Sequence, residues 1–520
     1  MAKNKKIKEK TQTGELQDFE GIKEYAKTLF KSADKLRKNM DAAEYKHPVL
    51  GLIFLKYISD SFEERYEELK ALKSQGADPE EKSEYLSEKI FWVPEDARWS
   101  KIKDSAKKPG IGKIIDNAMI ALEKENDSLK GVLPKDYSRP KLDKASLGSL
   151  VDLFSDIPLG GKKNQARDVL GRIYEYFLGE FASKEGKKGG QFYTPTSVVR
   201  LLVDVINPHE GRLYEPCTGS GGMIVQSNRV IENNGLSFYG QESNETTWRL
   251  CKMNLAIRAI DADIRWNNQG SFLQDEHPNL KADFILANPP FNDDEWYNES
   301  LDKDPRWKFG KPPTGNGNFA WIQHIISHLS DKGIAGFVLA NGSLSSKPGS
   351  NEDNIRKSLI ENDLVECVIR LPTKLFFSTQ ISASLWFIRK NKKIRKNETL
   401  FIDARKRGFL PLGEKVHREL PDSDIKFISN IYHSWLKTKD VSEYENIPGI
   451  CYSATKEDIE QHHSALVPGR YTGVEDMEDE DEDEDFYPKM TALLEQLDEE
   501  LESSTKLNAS IVKEFKSILK

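Results

Sequence analysis

Between residues 160 and 390, short apolar or β-branched runs alternate with stretches of helical period. The runs at 212–214, 237–239, 284–287, 336–339, 364–369 and 384–388 read as strands, and 246–259 and 319–329 read as helices between them. Parallel strands need a crossover long enough to hold a helix, so this alternation implies a largely parallel sheet covered on both faces. The expected fold class is therefore α/β, a Rossmann-like domain whose sheet is complete by about Arg389. In such sheets ligands bind beyond the carboxyl ends of the strands. The segments that follow the strands are where chemistry is expected.

Five segments are expected. Residues 1–15 are a basic, disordered tail, and residues 16–158 a helical N-terminal domain. Residues 159–475 hold the Rossmann-like domain and its extension, 476–487 an acidic linker, and 488–520 a C-terminal amphipathic helix. In the helical part, Ile53, Leu55, Tyr57, Ile58 and Phe62 mark an apolar-rich helix bounded upstream by His47-Pro48. No apolar segment follows the N-terminal lysines, so no signal peptide is expected, and the apolar run 49–55 is too short to span a bilayer. Cys217, Cys251, Cys367 and Cys451 lack CxxC or Cys/His spacing; we expect reduced thiols, a cytoplasmic location, no disulfide and no metal site. His324 and His328, spaced i, i+4, read as core or surface histidines, since ligation needs further ligands.

The net charge is −8, but residues 471–520 hold 16 acids against 5 bases, so the preceding 470 residues carry +3. That is modest for a chain gripping a polyphosphate alone and suggests help from a partner.

Three segments carry chemistry. The first is Leu213-Tyr214-Glu215-Pro216-Cys217-Thr218-Gly219-Ser220-Gly221-Gly222-Met223, a strand running into a glycine-rich turn and a helix. Glycines let backbone approach a ligand without interference from Cβ, although a plain tight turn has the same composition. The dinucleotide pattern G-x-G-x-x-G fails, because position 224 is Ile. Glu215 ends the strand, where a carboxylate can meet an ammonium. Glu242 follows the next strand, where an acid can bind a ribose diol. A cofactor with an ammonium and a ribose but no phosphate fits S-adenosyl-L-methionine better than NAD.

The second is Asp283-Phe284-Ile285-Leu286-Ala287-Asn288-Pro289-Pro290-Phe291. Two prolines fix the backbone and remove two N–H donors, leaving carbonyls and the Asn288 amide as acceptors. An exocyclic adenine amine has a delocalised lone pair and is a poor nucleophile. Acceptance of its two hydrogens by Asn288 Oδ1 and the Pro289 carbonyl would direct that lone pair at a methyl sulfonium. Phe291 would stack on the flipped base. A rigid turn after a strand is the bland alternative. The third is Gly189-Gly190-Gln191-Phe192-Tyr193-Thr194-Pro195-Thr196. It either closes over the methionine end of the cofactor or, through Thr194 to Thr196, caps the following helix. The aromatics Trp296, Tyr297, Trp307 and Phe309 suit either a path for the base or ordinary packing.

These segments, in this order, resemble the modification subunits of type I restriction-modification systems, within the N6-adenine methyltransferases. So do Asp34-Lys35-Leu36-Arg37, Tyr45-Lys46-His47-Pro48-Val49-Leu50-Gly51-Leu52, Phe309-Gly310-Lys311-Pro312-Pro313, Phe319-Ala320-Trp321-Ile322-Gln323-His324 and Arg470-Tyr471, over roughly residues 20–475. The resemblance implies methylation of adenine at N6 in double-stranded DNA, a DNA specificity subunit that selects the site, a restriction/translocase subunit for cleavage, and two copies of this chain per complex. It implies cofactor contacts at Gln191, Phe192, Tyr193, Thr194, Pro195, Thr196, Ser220, Gly221, Gly222 and Glu242, beside Glu215, Thr218 and Gly219 of the turn, and catalysis at Asn288, Pro289, Pro290 and Phe291. After Gly270 the chain has Ser271 where relatives often carry an acid, and Asp275 lies nearby; the contact to the cofactor adenine stays open.

Two other classes compete. A stand-alone methyltransferase acting on another planar amine or amide would need its own reading domain, for which little chain remains after Arg389. A non-catalytic scaffold would not need intact acids, glycines and Asn288. No Walker A motif appears, so ATP-driven translocation belongs to another chain.

Overall fold

The computed structural model describes residues 22–38, 40–140, 142–157, 165–185, 193–230, 235–376, 382–410, 417–438 and 442–473, and, further on, Leu497, Leu501 and Ser504, which are helical. The tail 1–15, the linker 476–487, most of 488–520, and Gln191 with Phe192 lie outside the described residues.

Nine strands form one sheet: β1 (Gly211–Glu215), β2 (Leu236–Glu242), β3 (Ala262–Trp266), β4 (Ala282–Ala287), β5 (Leu329–Ala340), β6 (Val365–Arg370), β7 (Ala383–Arg389), β8 (Glu398–Asp403) and β9 (Cys451–Thr455). Their order is β3-β2-β1-β4-β5-β7-β6-β8-β9. Strands β3, β2, β1, β4 and β5 run parallel, β7 is antiparallel to both neighbours, β8 is parallel to β6, and β9 is antiparallel to β8. The expected sheet end at Arg389 is thus corrected: β8 and β9 continue it. Residues 398–473 also pack helix Asp422–Leu436 against it through Ile425, Ile428 and Trp435, so this stretch is spent on the sheet rather than on a separate reading domain.

Alternation within the strands divides the core. Leu213, Phe284 and Leu286 face one layer with helices Thr196–Ile206 and Asp422–Leu436; Tyr214, Ile285 and Ala287 face the other with Asn318–His328 and Asn351–Glu361. Period-two burial on a sheet covered on both sides gives this partition.

The N-terminal part is helical. Helix Ala42–Ala71 starts six residues before Pro48, because the Asp41 side chain accepts from Ala43 N and caps it; the expected boundary at His47-Pro48 is corrected accordingly. Helix Gln165–Glu185 buries Leu170, Ile173, Tyr174, Phe177 and Phe181 in this helical core. Helix Glu245–Ile257 joins the two parts: Leu250, Met253 and Ile257 enter the helical core, Cys251 and Leu255 the sheet core. Among the described residues, no helix is long and apolar enough to cross a membrane.

Candidate functional site

Strand order reverses between β1 and β4: β2 and β3 lie on one side, β5 on the other. Leu213 pairs with Phe284 and Tyr214 with Ile285, so Glu215 and the segment after Ala287 leave the sheet side by side. This switch point is where an open α/β sheet makes its crevice. A cleft of about 1470 Å³ opens there, lined by Glu242, Cys217, Ser271, Phe272 and Asn288 to Phe291, and on the facing wall by Lys46, His47, Lys135 and Arg139 of the helical part.

The glycine turn is held from within. The Thr218 hydroxyl donates to Gln241 O at 2.9 Å, and Thr218 is 2% exposed, so its side chain braces the turn rather than facing a ligand. Gly219 and Gly221 take φ of 55° and 77°, the left-handed region glycine favours. A Cβ on Gly240 would sit 2.6 Å from Thr218 Oγ1 and 2.9 Å from Ile264 Cδ1, which is why β2 passes so close beneath the turn.

Glu242 ends β2 in the cleft wall. Its Oε2 accepts from Gly219 N at 2.8 Å and its Oε1 from Ser243 N and Asn244 N, each at 2.9 Å. Oε1 has both acceptor sites taken, and Oε2 keeps one for a donor such as a hydroxyl. Burial raises its pKa against these three N–H groups. Glu215 is buried beside it. Desolvation first and the Glu242 charge second push its carboxyl well above the usual range, and its Oε2 has no partner among the described residues. Glu215 is not itself a lining residue of the large cleft.

Asn288, directly after β4, donates from Nδ2 to Thr194 Oγ1 at 3.0 Å, and its Oδ1 is buried without a partner among the described residues. Phe291 lines the cleft and meets Phe376 edge-on at 5.7 Å. Asn292 has φ 51°, and Asn318 holds it there: Asn318 Oδ1 accepts from Asn292 N at 3.1 Å and Asn318 Nδ2 donates to Asn292 Oδ1 at 2.8 Å. Asparagine tolerates this backbone region better than most residues.

The capping alternative for the third segment is overturned. Helix Thr196–Ile206 has Pro195 at its N-cap and no side-chain cap. Thr194 instead serves Asn288, while Thr196 bonds with Tyr193 OH at 3.1 Å and donates to Glu175 Oε1 at 3.3 Å. Tyr193, Thr194, Thr196, Ser220 and Gly222 line a second pocket of about 20 Å³. All three segments therefore converge, with Asn288 linked to Thr194 and Glu242 to Gly219.

The aromatics divide: Trp296 and Tyr297 line the cleft, while Trp307 packs on Phe272 and Trp296, and Phe309 against the sheet core. The sequence reading missed Phe272, Leu273 and the helical wall. The apolar pair Phe272-Leu273 shortly after Gly270 was the available signal; Leu273 is 43% exposed in a short helix there. On the helical wall, burial, then the charges of Lys46, Arg249 and Arg139, hold the His47 imidazole down to about 3. The cations of this wall are paired with acids: Lys46 with Glu185 at 3.0 Å, Lys135 with Glu123 at 2.7 Å and Arg139 with Asp136 at 2.6 Å.

His324 and His328 lie beside Asp275, with ligating atoms within 4.8 Å of one another. His328 Nε2 is 2.8 Å from Asp275 Oδ2. The Arg306 guanidinium donates to His324 Nδ1 at 2.9 Å and to the Ser271 and Phe272 carbonyls at 3.2 and 2.6 Å. An accepting Nδ1 leaves the proton of a neutral ring on Nε2, so His324 offers no lone pair to a metal in this arrangement. The cluster buttresses the Ser271–Phe272 wall from behind.

The chain is similar to known proteins over most of its length. The family model for N-6 DNA Methylase matches residues 165–480, and that for the HsdM N-terminal domain residues 25–154. The chain is 44% identical over 450 residues to the Type I restriction enzyme HindI methylase subunit of Haemophilus influenzae, covering 81% of this chain and 98% of that one. It is 40% identical over 522 residues to the Type I restriction enzyme MjaIX methylase subunit of Methanocaldococcus jannaschii, covering 95% and 91%. Among solved structures, the type I restriction-modification system methyltransferase subunit from Streptococcus thermophilus superposes with a TM-score of 0.72 at 25% identity, covering 86% of this chain and 99% of that one.

Proposed function

Because the chain belongs to the N-6 DNA methylase family, as a methylase subunit of type I restriction-modification systems, we propose that it transfers a methyl group from S-adenosyl-L-methionine to adenine N6 in double-stranded DNA. The observation that carries this reading is Asn288 Oδ1, a buried acceptor without a partner among the described residues, in the same cleft as Glu242.

The residues fit the cofactor. The Glu215 carboxyl, whose Oε2 has no partner among the described residues, suits an ammonium, and Glu242 suits a ribose hydroxyl. When bound, S-adenosyl-L-methionine supplies an electrophilic methyl on a sulfonium. Asn288 Oδ1 and the Pro289 carbonyl accept the adenine amine hydrogens, so the nitrogen lone pair turns out of the ring plane. Phe291 stacks on the extruded base, and the open cleft admits it from the duplex. Lys135 and Arg139 on the helical wall are exposed enough to exchange their carboxylate partners for the backbone phosphates of that duplex.

Site selection falls to a DNA specificity subunit, a reading supported by β8, β9 and helix Asp422–Leu436, with which the described residues after Arg389 extend and cover the sheet. A restriction/translocase subunit supplies ATP-driven cleavage. A duplex site presents a target adenine on each strand, which two copies of this chain per complex would serve. The complex works in the cytoplasm of a bacterial or archaeal cell, where its DNA lies.

The test combines the chain, a specificity subunit, duplex DNA and isotopically labelled S-adenosyl-L-methionine, with nucleosides analysed by mass spectrometry. N6-methyladenine that depends on the specificity subunit supports the proposal. Methylation at cytosine N4, or full sequence-specific activity from the chain alone, contradicts it.

A further inference from the structure

Helix Gln165–Glu185 buries Tyr174, Phe177 and Phe181 in the helical core, yet its Glu175 turns toward the sheet. One carboxylate there gathers four donors from three segments. Oε1 accepts from Thr196 Oγ1 and Gln226 Nε2, each at 3.3 Å. Oε2 accepts from Arg229 at 3.2 Å and Arg258 at 3.3 Å. Thr196 lies two residues after Thr194, which holds Asn288. Gln226 and Arg229 belong to helix Gly222–Val230, which starts at the glycine turn.

Arg258 passes the connection inward. Its guanidinium also donates to Gly171 O at 2.7 Å and to the side-chain oxygen of Asn254. The Asn254 amide then donates to Ser220 O at 2.7 Å, inside the glycine turn. Asn254 is 3% exposed, and the Arg258 side chain 11%. Burial lowers the basicity of Arg258 and the Glu175 charge opposes that loss. None of Glu175, Arg258 and Asn254 lines the large cleft; Glu175 and Asn254 line the second pocket of about 20 Å³, where they stand behind Thr194, Thr196 and Ser220.

We propose that Glu175 is a positioning residue that ties the glycine turn and the 193–196 segment to the helical part, so that the helical part sets cofactor affinity. A turn held in its binding geometry loses less freedom when a ligand arrives, and charge-assisted bonds hold it most firmly. A shift of helix Gln165–Glu185 slackens Ser220 through Arg258 and Asn254, and the helical part thereby gains control over cofactor binding.

The inference rests on reading this site as one for S-adenosyl-L-methionine, so calorimetry of the unaltered full chain with that compound comes first. No binding there would remove the reading of the site itself. Given binding, Glu175→Gln, which keeps shape but removes charge, is expected to raise Kd about tenfold, with kcat at saturating cofactor within about twofold. Asn254→Ala is expected to act through the same path, so the double variant binds about as weakly as the weaker single variant. Additive losses, or a lowered melting temperature with unchanged Kd, would overturn the proposal. Should Glu175→Gln not fold, Arg258→Lys, which keeps the charge but loses the two-pronged bridge, is read by the same Kd; wild-type affinity there overturns it equally.

Discussion

Asn288 and Thr194, 94 residues apart in the chain, meet through one hydrogen bond of 3.0 Å from the Asn288 amide to the Thr194 hydroxyl oxygen. That bond fixes which end of the amide is left over. The nitrogen is occupied, and the oxygen stays buried and unpartnered among the described residues. Thr194→Val keeps the shape and removes the acceptor. We expect the single-turnover rate of methyl transfer to fall about tenfold, the equivalent of one hydrogen bond of ~1.4 kcal/mol. Cofactor affinity should stay within about threefold of wild type. An unchanged rate would show that Thr194 does not align the amide.

Glu215 predicts a pH dependence. Burial, then the Glu242 charge, raise its pKa well above 4.5, so the folded chain holds a proton that the unfolded chain has lost. Stability of the ligand-free chain should therefore decline as pH rises from about 4.5 through the folded value. A cofactor ammonium favours the ionised form, so binding should release a proton and tighten with pH over the same interval. Calorimetric titrations in two buffers of different ionisation enthalpy read that proton directly. No release, or release retained in Glu215→Gln, would assign it elsewhere.

Asn318 predicts a link between stability and catalysis. It is 1% exposed and holds Asn292 at positive φ directly after Phe291. Asn318→Ala removes its two hydrogen bonds to Asn292, which costs on the order of 1–3 kcal/mol for the pair. Denaturant unfolding should show that loss, and the single-turnover rate should fall with it because the Asn288 to Phe291 segment is no longer fixed. A stability loss with a wild-type rate would mean that the segment does not depend on this support.

The legible parts of the sequence were those with local signals. Strands β1, β2, β4, β5, β6 and β7 announced themselves as apolar runs; β6 is buried at all six positions. Strand β3 alternates Ala262, Ile264 and Trp266 with Asp263 and Arg265, a five-residue period of two that was passed over, and it buries only Ile264. Strand β8 begins directly after Asn397, which has positive φ, and β9 mixes Cys451, Ser453 and Thr455 with Tyr452 and Ala454, so neither stood out as an apolar run. The motifs around Glu215, Glu242 and Asn288 were legible because their chemistry is carried within a few residues. Their supports were not: Asn318 acts across 26 residues and Glu175 across 83 to Arg258. Thr194 and Thr196 matched a capping pattern, yet tertiary partners claimed both hydroxyls.

The most direct test of the account is Asn288→Ala, assayed for single-turnover methyl transfer to adenine and, in parallel, for cofactor binding by calorimetry. With the specificity subunit and duplex DNA present, the account predicts a rate reduced by roughly 10² to 10³ or more, with cofactor affinity within about threefold of wild type. A variant that methylates adenine at the wild-type rate would contradict it.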